Sequence, residues 1–129
     1  MTKIRHSAFL LLFLTVCLAS SCNRAEIAVC NGYSLVRMNG SEFVIASPAH
    51  DILTNGTVVR YAVSSPYITG YTSKNGFPKE TNPVEGYFFI NTATGQHVNG
   101  MSDSQWNKQL SDVGWKAPQW TETNPLPRQ

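Results

Sequence analysis

Residues 33–47 read YSLVRMNGSEFVIAS, two runs rich in β-branched and aromatic residues on either side of Asn39-Gly40. Asn-Gly suits the positive φ angles of a tight hairpin turn, so this stretch predicts two antiparallel strands, Tyr33–Met38 and Glu42–Ser47. The same dipeptide recurs at 31–32, 55–56, 75–76 and 99–100. A chain punctuated in this way predicts a meander of short antiparallel strands.

Further strands follow the same pattern along the chain. Their expected ranges are Thr57–Ser64, Tyr67–Tyr71, Gly86–Asn91 and Gln96–Asn99. Strict alternation in the first of them places Val58, Arg60 and Ala62 on one face of the sheet. Residues 72–85 have no hydrophobic period and contain two prolines, which predicts a long surface loop of the kind that often carries function.

One helix is signalled by its two ends. Ser102 is the expected N-cap, and Gln105 at the third helical position completes a capping box. Met101 before the cap and Trp106 inside the helix form a hydrophobic staple. Gly114 stands where a helix commonly ends in a left-handed residue.

The same helix carries a single apolar stripe. Trp106, Leu110 and Val113 recur at helical spacing, and Trp115 is expected to pack back on Leu110. Because an isolated helix shorter than about 12 residues is marginal in water, this stripe must be buried against the sheet. The expected fold is therefore α+β: a small antiparallel β-sheet meander with one C-terminal helix packed on it.

The start of the chain has the composition of an export signal. Lys3 and Arg5 precede a run from Ala8 to Ala19 that is apolar apart from Thr15. A membrane-spanning helix needs about 20 apolar residues, so the run is short for a span. An uncleaved N-terminal anchor is the alternative interpretation.

The apolar run ends in Ala19-Ser20-Ser21-Cys22. This stretch resembles the lipobox of bacterial lipoproteins, although Leu18 stands four residues before the cysteine where the family more often has leucine three before. The resemblance implies cleavage before Cys22 and acylation of Cys22, which then holds the protein on a membrane. More than one acyl chain gives stable anchoring where one chain is marginal.

The residue after the cysteine bears on sorting. Asn23 rather than Asp implies, by the same resemblance, an outer-membrane lipoprotein that faces the periplasm, with inner-membrane or Gram-positive surface anchoring still open. The small residues 19–21 also satisfy an ordinary cleavage rule, and a free Cys22 would then be able to pair with Cys30. Acylation excludes that disulfide, because it leaves Cys30 as the only thiol.

These features divide the chain into four parts. They are a signal peptide (1–21), a lipidated tether (22–26), a single periplasmic α+β domain (27–121) and a flexible tail (122–129). Removal of the signal peptide removes two of the ten basic residues and leaves eight basic and eight acidic ones. Nucleic-acid binding needs clustered positive charge, so a formally neutral chain argues against it.

Few residues suit catalysis or metal binding. His50, Asp51 and His97 are the candidates, but two histidines without short ligand spacing do not predict a metal site. Glu80 and Glu85 share the long loop, whereas a glycosidase needs two rigidly placed carboxylates. Neither a Gly-x-Ser-x-Gly elbow nor a Walker motif is present. We therefore expect no enzyme activity, no cofactor and no metal.

Aromatic residues are the more informative group. Seven of them exceed what one sheet and one helix are expected to bury: Tyr67, Tyr71, Phe77, Tyr87, Phe89, Trp115 and Trp120. Aromatic side chains are frequent in interface hot spots because they offer large area at small entropic cost. Phe77, Tyr71, Trp115 and Trp120 are therefore the candidate partner-binding residues.

Two functions are compatible with these observations. The first is a membrane-anchored periplasmic lipoprotein that binds another envelope protein, in the manner of inhibitor, immunity or phage superinfection-exclusion lipoproteins. The alternative is a small-ligand-binding or envelope-maintenance lipoprotein in which Tyr67, Tyr71 and Tyr87 line a site that stacks sugars. A flat aromatic surface favours the first, and a deep pocket favours the second.

Overall fold

The computed structural model describes residues 26–40, 42–74 and 82–123, so the expected leader, Cys22 and Phe77 lie outside the described residues. In chain order the elements are β1 (Glu26–Cys30), β2 (Tyr33–Asn39), β3 (Glu42–Ala46), β4 (Thr57–Ser64), β5 (Tyr67–Ser73), β6 (Gly86–Asn91), β7 (His97–Met101), α1 (Asp103–Val113) and β8 (Thr121–Glu122). Among the described residues, antiparallel strands occur together with a single helix, which confirms the predicted α+β class.

The strands form two antiparallel sheets rather than one continuous meander. The first has the order β1-β2-β3, and the second has the order β7-β6-β5-β4-β8. The chain leaves the first sheet along the edge of β3, where the Ile45 N–H donates to Thr54 Oγ1 at 3.1 Å and the Phe43 N–H donates to Thr57 Oγ1 at 2.9 Å. These bonds use the free edge of β3, so β4 starts a second sheet instead of extending the first.

The main core lies between the two sheets. Each sheet contributes four buried side chains to it: Tyr33, Leu35, Phe43 and Ile45 from the first, and Val58, Ile68, Phe88 and Ile90 from the second. Cys30 is half-buried and packs against this inter-sheet core. Two sheets that bury one face each against the other need no helix on that side.

A register shift in β4 changes which face its residues occupy. The pairing of β4 with β5 is irregular between Val58 and Arg60. Val58 therefore enters the inter-sheet core, while Arg60 lies on the opposite face of the sheet, among Tyr71, Tyr87 and Trp120. The expectation that Val58 and Arg60 share a face is wrong, because the bulge interrupts the alternation on which it rested.

The helix has the predicted ends. Ser102 is the N-cap, its Oγ accepts from the Gln105 N–H at 3.3 Å, and the Gln105 side chain accepts from the Ser102 N–H at 2.9 Å. Gly114 ends the helix with φ 74°. The Trp115 N–H then donates to the Leu110 carbonyl at 2.9 Å, as expected for the Schellman motif.

The predicted apolar stripe packs on the outer face of the second sheet. Leu110 is buried with Phe89 and Met101, and Trp106 and Val113 pack against these three, in what we call the helix-side core. The Trp106 indole Nε1–H also donates to Thr69 Oγ1 at 2.8 Å. Nowhere in the described ranges is there a helix long and apolar enough to span a bilayer.

The chain after the helix returns to the sheet. Thr121 and Glu122 pair with β4, and the Thr123 N–H donates to the Val59 carbonyl at 3.1 Å. The strand pairing therefore includes Glu122, which the sequence led us to expect as the first residue of the tail. The free edge of β4 provides the unpaired backbone groups that hold it.

Gly70 offers a test of the packing between the sheets. A Cβ at this position would collide with the Arg60 carbonyl oxygen and with the ring of the fully buried Phe88. We expect Gly70→Ala to lower the free energy of unfolding by about 3 kcal/mol, near the upper end for overpacking, because neither neighbour can move freely. Chemical denaturation followed by tryptophan fluorescence would measure it.

Gly114→Ala is the matched control. The Cβ of an alanine at this position would meet nothing within 4 Å, and only the left-handed φ of 74° opposes the change. This backbone strain should lower the free energy of unfolding by about 1–2 kcal/mol. Equal losses for the two variants would contradict the packing argument.

Candidate functional site

Three side chains lie in a row across the outer face of the second sheet, which is the face that carries the helix. Arg60 pairs with Tyr71 in the strand register, and Tyr71 pairs with Tyr87. The first turns of α1 bring Trp106 over this row, and the segment after the helix brings Trp120 back beside it. We call these five residues the aromatic–arginine cluster.

The rings of the cluster are in mutual contact. Trp106 stacks on Tyr87 with ring centroids 4.1 Å apart and an interplanar angle of 7°. Trp120 stacks on the Trp106 ring at 5.7 Å and 26°, and Tyr71 meets Tyr87 edge-on at 5.0 Å and 80°. Stacked and edge-on pairs of this kind each contribute about 0.5–1.5 kcal/mol beyond burial, so the cluster is held in one arrangement.

Arg60 is held by rings rather than by a carboxylate. Its Cζ lies 4.6 Å from the Trp120 ring centroid and 6.0 Å from that of Tyr71, and Nη2 donates to the Tyr87 hydroxyl at 3.4 Å. Glu122 is its cross-strand neighbour, yet within the described ranges the only ion pair joins Lys108 and Asp112.

The guanidinium therefore keeps hydrogen-bonding capacity. It has five N–H groups, one of which serves Tyr87, while the buried Nε makes no hydrogen bond. Cation–π contact contributes about 0.5–2 kcal/mol, which positions the charge without neutralising it. A half-buried guanidinium fixed in this way is suited to pair with a carboxylate from outside the chain.

Tyr71 joins the cluster to the end of the long loop. Burial raises the pKa of the Tyr71 phenol above its ordinary 10.0, and the negative charge of Glu85 and a hydrogen bond to that carboxylate raise it further. The phenol is therefore protonated at neutral pH. It acts as a hydrogen-bond donor rather than as a negative partner for Arg60.

The four residues expected to contact a partner have different positions. Tyr71 and Trp120 come together on either side of Arg60. Trp115 lies at the other end of the helix, where its ring meets Phe89 edge-on with centroids 6.5 Å apart. Phe77 falls in the range 75–81, outside the described residues.

Sequence reasoning missed Arg60 and Trp106 as members of this site, and it named Tyr87 only for the alternative, sugar-stacking site. The available signal was that Arg60 is the single charged residue of strand β4, which is otherwise uncharged and mostly apolar or aromatic. A cation inside such a strand needs a partner on its own face, and aromatic rings are one of the few choices.

A second feature is an open groove beside the C-terminal half of the helix, with a volume of about 620 Å³. It is lined by Tyr67, Phe89, Asn91, Gly95, Gln96, His97, Val98, Gln109 and Val113. Three amide side chains, two aromatic residues and the imidazole of His97 are therefore present. This lining suits a neutral polar ligand.

The residues considered for catalysis are spread over the surface. His50, with φ 69°, and Asp51 are exposed in the turn after β3, whereas His97 is exposed at the start of β7. No three His, Cys, Asp or Glu side chains of the described ranges are grouped so as to hold a metal ion. Cys30 has no disulfide partner within those ranges.

The Tyr71 phenol provides a spectroscopic test of the cluster. Replacing Glu85 by Gln removes the carboxylate charge, so the pKa of Tyr71 should fall toward 10.0 but stay above it, because burial is the larger cause. An NMR titration of ¹³Cζ-labelled tyrosine, assigned with Tyr71→Phe, would follow it. The stability that this phenol contributes is complete below pH 10 and is lost as pH rises through the raised pKa.

A Tyr71 that titrates at or below 10.0 in the unmodified protein would contradict this arrangement. So would an unchanged pKa in Glu85→Gln.

Comparison with protein-family models, curated proteins and solved structures finds no match for this chain.

Proposed function

We propose that this protein is a membrane-anchored periplasmic lipoprotein that binds another envelope protein through the aromatic–arginine cluster. The observation that carries the proposal is Arg60, a half-buried cation fixed against Trp120 and Tyr71 and lacking a carboxylate partner within the described residues. Inhibitor, immunity and superinfection-exclusion lipoproteins are the kinds of protein that act in this way.

The composition of the cluster supports a protein partner. Tryptophan, tyrosine and arginine are the residues enriched in interface hot spots. In this cluster the rings and the guanidinium already contact one another, so little side-chain freedom remains to be lost on binding. The partner would supply an acidic side chain to the free N–H groups of Arg60 and an apolar surface to Trp120.

The open groove favours a second candidate, a small-ligand-binding lipoprotein. Amide groups of Asn91, Gln96 and Gln109 line it together with Tyr67. Amides that hydrogen-bond hydroxyl groups beside an aromatic ring would suit a neutral saccharide. The groove is open rather than enclosed, and for this reason we rank it second.

The anchor is tested by changing Cys22. The unmodified protein should carry the mass of its acyl groups on residue 22 and stay with the membrane fraction, whereas Cys22→Ser should lack that mass and be released. Mass spectrometry and fractionation of cells would measure both properties. A mature protein with a Cys22–Cys30 disulfide would overturn the anchor.

Partner binding is tested by removing the guanidinium. Arg60→Met keeps the apolar stem and deletes the N–H groups, so binding should weaken by about 2 kcal/mol, roughly thirtyfold, as for a hot-spot residue. Isolation of the cross-linked partner from cells, followed by titration with the purified partner, would measure it. Circular dichroism would confirm that the variant is folded.

Two variants serve as controls. Lys108→Met removes one positive charge at a side chain that is 79% exposed, and it should leave binding unchanged. Gln109→Ala alters the groove alone. Binding that is lost in Gln109→Ala but kept in Arg60→Met would overturn the cluster proposal in favour of the groove.

A further inference from the structure

The open groove beside the C-terminal half of the helix has a floor made by the second sheet. Tyr67 begins β5 and pairs with Asn91 at the end of β6, while Phe89 of β6 pairs with Val98 of β7. Val113, the last residue of the helix, packs against the helix-side core and also lines the groove. The volume of about 620 Å³ is within the range of about 300–1,000 Å³ that is usual for small-molecule sites.

Tyr67 provides the aromatic surface of the groove. This residue is half-buried, and its ring centroid lies 5.3 Å from that of Phe89 at an interplanar angle of 40°. Phe89 is only 4% exposed, so it holds the Tyr67 ring in place and offers little surface of its own to a ligand. A fixed ring that is partly accessible is suited to pack against a flat array of C–H groups, such as one face of a sugar ring.

The polar groups of the groove supply both hydrogen-bond donors and acceptors. Asn91 Oδ1 accepts a backbone N–H of its own turn at 3.0 Å, so the Nδ2 group of this amide is the one that can serve a ligand. The carboxamides of Gln96 and Gln109 each contain a donor and an acceptor. His97 Nδ1 lies 3.4 Å from the Gly95 carbonyl oxygen and must donate to it, because a carbonyl only accepts. The neutral imidazole then keeps an acceptor at Nε2.

The absence of formal charge from the lining excludes several classes of ligand. Among the described residues that form the groove, none has a carboxylate, an ammonium or a guanidinium group. An ionic group of a ligand would lose hydration there without gaining a partner of opposite charge, which costs more than burying a neutral polar group. The lining therefore suits a neutral ligand that combines hydrogen-bonding groups with apolar surface.

We propose that the groove binds an N-acetylhexosamine unit of a neutral saccharide chain. This inference rests on the small-ligand-binding function, the second candidate above, and it names the ligand class for that function. An acetamido group has an N–H, a C=O and a methyl group. The carboxamide of Gln96 or Gln109 pairs with the first two, and the side chains of Val98, which is 42% exposed, and Val113 cover the methyl group. Tyr67 packs against the sugar ring.

The open shape of the groove fits one unit of a chain better than a free monosaccharide. A site for a single small molecule usually buries most of its surface, whereas an open groove leaves the neighbouring units of a chain in solvent. A peptide is the other extended neutral ligand, but peptides added to a sheet are held by backbone groups along its edge. Here Asn91 and Gln109 present side-chain amides from the face of the sheet and from the helix.

Two matched trisaccharides test the ligand class. Tri-N-acetylchitotriose and cellotriose have the same linkage and ring configuration, but cellotriose has a hydroxyl group where each acetamido group stands. Each is titrated into the full-length protein, kept in a detergent without a sugar headgroup, and binding is measured by isothermal titration calorimetry. We expect roughly tenfold tighter binding of the acetylated sugar, because cellotriose leaves the carboxamides of the groove without their partners.

The outcomes separate the ligand class from the function. Equal affinities for the two sugars would overturn recognition of the acetamido group and leave a saccharide-binding groove. Binding of neither sugar would overturn the second candidate function together with this inference. Tighter binding of an acetylated and amidated tri-alanine peptide would replace the saccharide by a peptide. The protein partner of the aromatic–arginine cluster is measured separately, with Arg60→Met.

Glutamine variants test the location of the site. Gln109→Ala and Gln96→Ala each remove one carboxamide and should weaken binding of the acetylated sugar about fivefold, with little effect on cellotriose. Lys108→Met is the matched control, because it changes the neighbour of Gln109 and removes a charge that a neutral ligand does not use. Unchanged affinity in both glutamine variants would overturn the groove as the site. Gln96 is exposed in a turn, so this variant keeps the test valid if Gln109→Ala fails to fold by circular dichroism.

Discussion

The hydrogen bond between the Trp106 indole and the Thr69 hydroxyl determines where the helix lies on the sheet. Thr69 is fully buried, and its hydroxyl accepts from Trp106 Nε1 at 2.8 Å while it donates to the Phe88 carbonyl at 2.6 Å. Moving the helix would take this partner away from the indole N–H, and a buried donor that is left unpaired costs about 1–3 kcal/mol, so the two groups strongly favour one position. An eleven-residue helix with one buried leucine has few other contacts to hold it.

The position of Trp106 in turn determines the geometry of the cluster. The Trp106 ring lies between the rings of Tyr87 and Trp120, so any movement of the helix would disturb its stacking on both of them. Arg60 depends on the same arrangement, because Trp120 provides the nearer of its two ring faces. The proposed binding surface and the helix packing thus depend on the same contacts, and changes in the helix-side core should alter both.

Local signals in the sequence were sufficient for part of this structure. The helix ends could be predicted because Ser102, Gln105 and Gly114 act through hydrogen bonds that close within a few residues. The hairpin of β2 and β3 could be predicted for the same reason, because its turn at Asn39-Gly40 is also local. The division into two sheets could not be predicted, since it depends on the hydroxyls of Thr54 and Thr57 binding the edge of β3. No sequence pattern indicates this for a threonine before a strand or at its first position.

The candidate site was predictable only in part. Tyr71 and Trp120 were identified as aromatic residues in excess of the core, but Arg60 was assigned a face by simple alternation. The bulge between Val58 and Arg60 overturns that assignment, and neither residue signals it. Trp115 was identified in the same way as Trp120, as an aromatic residue in excess of the core. It packs on Phe89 instead of joining the cluster, because the Schellman turn directs its side chain back to the helix.

The short strand β8 has a practical consequence for handling the protein. Thr123 Oγ1 donates to the Val58 carbonyl at 2.6 Å, so the described chain finishes beside the start of β4. An affinity tag fused after β8 would therefore stand beside Arg60 and Trp120. The exposed turn at Ala93 and Thr94 is the better place for an inserted epitope, because it leaves that surface open to a partner.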